Sequence, residues 1–205
     1  MTTQATTTDR VVDSLKLYFT ANSVRNTTLA NKDDSIYFEV VTRFWHPKLT
    51  KINILDPETR DMRLVAEIER VGRAKKYRNG RYRIRFISQE NSGSKQEWGR
   101  WISDIDFLEP ANEGIGGDFI DPRGNGYRWK THNRRLQLIP VGEETQTPLV
   151  TYESHKRYFL IFRMSRHASW EVKPQVVNFL DRILVSYILI ERRRRAEKQV
   201  IDRII

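Results

Sequence analysis

The sequence predicts a mainly β fold: a single closed antiparallel β-barrel of about 12 strands around a central hydrophobic C-terminal helix. Three observations predict it. Up to Val172 the chain breaks into short runs rich in β-branched and aromatic residues, separated by turn residues. From Gln175 to Lys198 no Gly or Pro interrupts, and the hydrophobic period changes. Within that stretch Ile183 to Ile190 is apolar on every side, with Ser186 the one exception. A helix that is apolar all round is buried all round. A membrane span needs about 20 apolar residues, and Asp181-Arg182 cuts this run short. A helical bundle needs other helices, and the pattern offers none. A barrel threaded by the helix satisfies the requirement: about 15 helical residues rise roughly 22 Å, the height of a strand of six or seven residues. Arg192 to Arg195 then mark where the helix leaves the barrel and meets water.

The elements follow in order. Residues 1–12 are polar, lack the apolar core of a secretory signal, and read as a flexible leader; residues 13–205 form one domain. Leu15 to Thr20 alternates apolar and polar, then meets the turn-rich "ANSVRN". "SIYFEVVTRF" is a β-branched and aromatic run, and Leu49 to Leu55 alternates again until Asp56-Pro57 stops it. Met62 to Arg70 is read as a strand. Arg81 to Ser88 has the clearest period of two, with Tyr82, Ile84 and Phe86 on one side and Arg81, Arg83 and Arg85 on the other. Asn79-Gly80 before it signals a tight hairpin. Glu90 to Glu97 reads as a loop, "WGRWISDIDFLEP" as two short strands, and the Gly-rich 111–126 as turns. "YRWKT", "RLQLIP", "PLVTYES", "RYFLIFR" and "HASWEV" complete the strands. Pro174 suits the first turn of the helix, expected over about 175–198.

Charge is patterned. The chain carries a net +10, and eight cations with no acid lie between Arg70 and Arg85. Arg192 to Arg195 adds four more. Such patches attract phosphates of lipid headgroups or nucleic acids, though each is also an ordinary solvated strand or helix end. The absence of cysteine excludes disulfide and thiolate chemistry and fits a reducing compartment. With no secretory signal, the expectation is an intracellular protein, cytoplasmic or peripheral to a membrane.

Motifs for chemistry are sparse. His46, His132, His155 and His167 lack the spacing of a zinc site, so no metal and no cofactor are expected. "GIGG" (114–117) and "RGNG" (123–126) do not open a helix, so they read as turn glycines rather than a phosphate loop. Asp104 and Asp106 alternate and would share one face of a strand, a possible acid–base pair set against the commoner exposed carboxylates. Trp98 and Trp101, flanking Arg100, are the candidate exposed stacking pair; the other aromatics fill the barrel.

The segments "LYFTANSVRNTTL", "SIYFEVVT", "LVAEIER", "GYRWK", "HASWEV" and "LDRILVSYILIERRRR", in that order from Leu15 to Lys198, resemble an uncharacterised fungal domain family of the tubby C-terminal-like type. Its fold is shared with phospholipid scramblases and LURP-one-related proteins. The chain departs from that pattern at Ser23-Val24, where Asn-Pro is frequent, and at Arg70-Val71, where Trp-His is. The resemblance implies the barrel around a terminal helix and suggests contact with phosphoinositides or anionic membranes through a basic surface; it carries no activity. The leading expectation is therefore a non-enzymatic module that holds anionic lipid headgroups on a basic hairpin formed by Lys75, Lys76, Arg78, Arg81, Arg83 and Arg85. Nucleic-acid binding or regulation is the second reading. A small-molecule binder or enzyme with a surface cleft among the Gly-rich loops is the third. Self-association through Val200, Ile201, Ile204 and Ile205 is a fourth possibility.

Overall fold

The computed structural model describes residues 14–72, 81–89, 96–111, 115–133, 135–142, 147–155 and 167–201. The leader, the Asn79-Gly80 turn, the "RYFLIFR" run and the side chains of the terminal stripe lie outside them.

Alternating side chains produce the expected strands. The first half contributes β1 (Leu15–Phe19), β2 (Thr27–Ala30), β3 (Tyr37–Thr42), β4 (Leu49–Leu55), β5 (Met62–Arg70), β6 (Tyr82–Gln89), β7 (Gln96–Trp98) and β8 (Ile102–Ser103). A four-residue helix α1 (Asp104–Phe107) follows. Then come β9 (Glu109–Pro110), β10 (Gly117–Ile120), β11 (Gly126–His132), β12 (Arg135–Pro140), β13 (Val150–Glu153) and β14 (Ser169–Val172). A 3-10 helix, Pro174–Phe179, leads into α2 (Leu180–Ile201). Pro174 occupies the first turn, where its missing N–H costs nothing.

The strands form one antiparallel sheet in the order β7-β6-β5-β4-β3-β2-β1-β14-β13-β12-β11-β10-β9, with β8 on β6. Core side chains come from alternate positions: Leu17 and Phe19, Phe38 and Val40, Ala66 and Ile68, Trp129, Leu138, Trp170 and Val172 are all buried. They surround α2, where every residue from Ile183 to Glu191 is at most 5% exposed. The prediction of a helix buried on all sides therefore holds. The Ser186 hydroxyl within this run is satisfied: Trp129 Nε1 donates to Ser186 Oγ at 2.8 Å, and Ser186 Oγ donates to the Ile183 carbonyl at 2.9 Å. Tyr187 packs against Phe19, Trp129, Tyr152 and Trp170, with ring centroids 5.2–6.2 Å apart.

Closure differs from the expectation. No ladder joins the two ends of the sheet among the described residues, so the ring is not a hydrogen-bonded barrel. The chain itself spans the seam. β8 pairs with β6 at one end, β9 pairs with β10 at the other, and α1 is the link between them. Phe107 of α1 lies between Phe86 of β6 and Phe119 of β10, at 5.3 and 5.9 Å. A helix satisfies its backbone internally and cannot extend a ladder, so hydrogen bonding stops there while apolar packing continues.

The same helix overturns the strand reading of Asp104 and Asp106. Ser103 caps it, its Oγ accepting from Ile105 N, and both acids sit in the first turn, where the helix dipole favours them. Two residues apart on a helix they point to different sides: Asp104 is buried and Asp106 exposed. Asp104 Oδ1 accepts from Tyr82 N at 3.1 Å, and Oδ2 pairs with Arg193 at 3.3 Å. It is a structural latch and not half of an acid–base pair.

Among the described residues the sequence reading also missed β2, β7 and β10. Each is short and carries Thr, Gly or Gln where an apolar side chain would give the alternation away. The RGNG turn is closed on Asp121, whose carboxylate accepts from the backbone N–H groups of Arg123 and Asn125 at 2.8 and 2.9 Å. Gly124 there has φ +88°, a conformation that suits glycine. Burial raises the Asp121 pKa, but the hydrogen bonds from Asn125, Arg123 and Tyr127 outweigh it and hold the group below its ordinary 3.8. The stabilisation is therefore present above the ordinary carboxylate pKa and is lost as pH falls through the depressed value. Asp121→Asn should cost about 1–2 kcal/mol at pH 7, and chemical denaturation should show the two proteins converging in strong acid.

Candidate anion-binding site

Antiparallel alternation brings the β1–β2, β3–β4 and β5–β6 connections to one end of the molecule, where α2 also emerges. A pocket of about 960 Å³ opens there. Its walls are Ser23, Val24 and Arg25 from the first connection, Pro47 and Lys48 from the second, Arg70, Gly72, Arg81 and Tyr82 from the third, and Arg192, Arg195 and Ala196 from the helix. Six of these residues are cations, and among the described residues no Asp or Glu lines the pocket.

Local structure explains why each cation is there. β3 ends at Thr42, and two successive turns, His46 N to Arg43 O and Leu49 N to His46 O, return the chain into β4 with Lys48 at the rim. Arg70 N donates to the Lys48 carbonyl at 2.8 Å, which fixes the end of β5 beside it. Ser23 Oγ accepts from the N–H groups of Arg25 and Asn26, each at 3.1 Å, and so shapes the β1–β2 turn that carries Arg25.

The helix terminus makes the site unusual. The run Arg192 to Arg195 was expected to meet water together, but its members divide. Arg193 pairs with Asp104, and Arg194 and Arg195 face buried Glu191 at 2.8 and 3.6 Å. Arg192 has no carboxylate partner among the described residues. Its Nη2 donates to the Val24 carbonyl at 3.2 Å and to Thr50 Oγ1 at 2.6 Å, and its guanidinium stands 5.2 Å from the Tyr82 ring. Burial, reinforced by the neighbouring charges of Arg25 and Arg70, pulls its pKa down to about 10. A partly buried cation held among other cations with neutral acceptors only is an electrostatic arrangement that an anion would complete.

The predicted basic hairpin is distributed differently from its sequence. Arg81 lines the pocket. Arg83 and Arg85 do lie on the outer face, but Arg83 pairs with Glu69 and Arg85 with Glu67, each at 2.6 Å. They also stack on the predicted aromatic pair: Arg85 lies 3.8 Å from the Trp98 ring and 4.4 Å from Trp101, and Arg83 lies 4.6 Å from Trp101. Lys75, Lys76 and Arg78 lie outside the described residues. The signal for Arg83 and Arg85 was present in the sequence: Glu67 and Glu69 alternate on β5 with the period of the arginines on β6, so antiparallel pairing places opposite charges face to face. Arg25 and Lys48 carry no such signal, each being an isolated cation in sequence, and Arg70 shows only as the first member of the basic run; the shared end of the sheet is what assembles the three.

Other candidate chemistry is not gathered into a site. The rings of His155 and His167 are 6.1 Å apart, and among the described residues no group of three His, Asp or Glu side chains comes together. Among the described residues no helix is long and apolar enough to cross a membrane.

Fold and site together define a mainly β protein that wraps one antiparallel sheet around a terminal hydrophobic helix and carries a cationic pocket where that helix emerges. The chain belongs to a family of unknown function, DUF6593, whose model matches residues 22–196. That span includes every described residue of the pocket. No curated protein and no solved structure matches the chain significantly.

Proposed function

We propose that this protein is a non-enzymatic binding module for anionic phospholipid headgroups, and that the pocket at the exit of α2 holds the headgroup phosphate. One observation carries the reading: Arg192 is partly buried beside Arg25 and Arg70 with no carboxylate partner among the described residues. Arginine forks match phosphate oxygens geometrically, and the pocket offers several from different elements. The tubby-like assignment belongs to the same proposal. The antiparallel sheet and its enclosed terminal helix support it, with α1 standing at the seam where that fold would close.

The proposed contact is the pocket and not Arg83 or Arg85, which already have acidic partners. Vesicle co-sedimentation with and without phosphatidylinositol bisphosphate tests it. The Arg70→Ser/Arg81→Ser variant is expected to lose binding by at least tenfold, since each cation near an anionic bilayer contributes on the order of 1 kcal/mol. Arg83→Ser, whose charge is already neutralised by Glu69, should bind within about twofold of the parent. Equal binding by the parent and the pocket variant would sink the proposal. Binding to DNA or RNA with a steep loss on adding salt, and none to vesicles, would favour the nucleic-acid reading instead.

A further inference from the structure

The β3–β4 connection presents two adjacent exposed aromatic side chains, one of them the most exposed large apolar side chain among the described residues. Phe44 is 85% exposed and Trp45 54%. They are not loose: the turn beneath them is held by the His46 N to Arg43 O and Leu49 N to His46 O hydrogen bonds, at 3.0 and 3.1 Å. The two rings pack edge to face at 4.7 Å, and the Arg43 guanidinium covers one side of Trp45 at 5.2 Å. The returning limb of this same turn, Pro47 and Lys48, is a wall of the cationic pocket. No acid occurs between Glu39 and Asp56, whereas Arg43, Lys48 and Lys51 do.

Two large rings held out in water represent unrecovered apolar burial, and such patches mark contact surfaces. Their surroundings select the partner. An acyl core alone would disfavour the adjacent cations, and a protein groove would not by itself call for them. The boundary between headgroups and acyl chains accepts both, because indole and phenyl rings settle there while Lys and Arg meet lipid phosphates. Stacked nucleobases fit less well: the rings stand at 83° to one another and one indole face is already taken.

We propose that Phe44 and Trp45 form a wedge that enters the headgroup–acyl boundary of an anionic bilayer when the adjoining pocket engages a lipid headgroup. This rests on the pocket reading above and adds to it: the ligand is taken from a membrane surface and not as a free phosphate. Pocket and wedge act on different parts of one lipid layer, so their contributions separate experimentally.

The test compares soluble inositol trisphosphate with phosphatidylcholine vesicles containing phosphatidylinositol bisphosphate and bromine-labelled acyl chains. Phe44→Ser/Trp45→Ser is a surface change, and its circular dichroism and melting temperature should match the parent. It is expected to bind inositol trisphosphate as the parent does but to lose vesicle affinity by at least tenfold. Trp45→Phe should keep vesicle binding and lose the bromine quenching of tryptophan emission that the parent shows. Unchanged vesicle affinity in the double variant, or vesicle-bound parent whose emission bromine does not quench, overturns the wedge and leaves the pocket standing. Vesicle binding that depends on the two rings, with no binding of inositol trisphosphate, supports the wedge and overturns the pocket. Binding to neither vesicles nor inositol trisphosphate overturns both, as does binding to oligonucleotide alone.

Discussion

Asp104→Ala should destabilise the protein by about 3 kcal/mol, because it leaves the partly buried Arg193 without its carboxylate. Asp104 joins three elements at the seam. Its Oδ1 receives Tyr82 N at the start of β6, its Oδ2 receives Arg193 of α2, and Arg193 also donates to the Asp104 and Leu108 carbonyls at 3.2 and 3.1 Å. With no ladder across this gap among the described residues, these bonds and the Phe86–Phe107–Phe119 contact hold the ends of the sheet to the helix. Urea denaturation gives the loss directly. Asp106→Ala, on the exposed side of α1, is the control and should change stability by less than about 0.5 kcal/mol. A double change, Asp104→Ala with Arg193→Leu, should cost less than the sum of the two single changes, since the second removes the stranded charge. If Asp104→Ala behaves like Asp106→Ala, the seam is held by something else.

Arg192→Met is expected to have the largest effect on binding. A guanidinium that donates two charge-assisted hydrogen bonds to phosphate contributes roughly 3 kcal/mol, so affinity for inositol trisphosphate should fall by about a hundredfold. Stability should move the other way or not at all. The wild-type residue is desolvated and repelled by Arg25 and Arg70, which is why its pKa sits near 10. Methionine removes that cost, together with the guanidinium contact on the Tyr82 ring and the bonds to Val24 and Thr50. Arg25→Gln tests the same repulsion without those bonds and should raise the melting temperature of the ligand-free protein. Calorimetric titration and thermal melting of the same samples check both halves. Binding by Arg192→Met within twofold of the parent would remove Arg192 from the site, and a large loss of stability would show that its role is to tie α2 to the sheet.

Period-two runs such as Arg81 to Ser88 declared strands, because a half-buried strand must alternate. The all-round apolar stretch Ile183 to Ile190 declared a buried helix for an equally simple reason: nothing else removes every side of it from water. Short strands with little side-chain alternation, β2 and β10, left no such trace. Neither did α1, where Ser-Asp-Ile-Asp serves as a strand pattern or as a capped helical turn.

The candidate site was legible only as a tendency toward anions. Counting cations pointed to Arg81, Arg83 and Arg85 alike, and pairing with β5 then separated them, neutralising two and leaving one on the pocket wall. The same division split Arg192 from Arg193, Arg194 and Arg195, because successive helical residues face different neighbours. The mainly β character, the terminal buried helix and the excess positive charge follow from local pattern and composition. Only the assembled fold sets how the two ends of the sheet are bridged, which arginines are already paired, and that Arg25, Lys48, Arg70, Arg81 and Arg192 converge. Those outcomes depend on which distant segments become neighbours in space, because charges are screened beyond about 8–10 Å and spacing along the chain does not encode that distance.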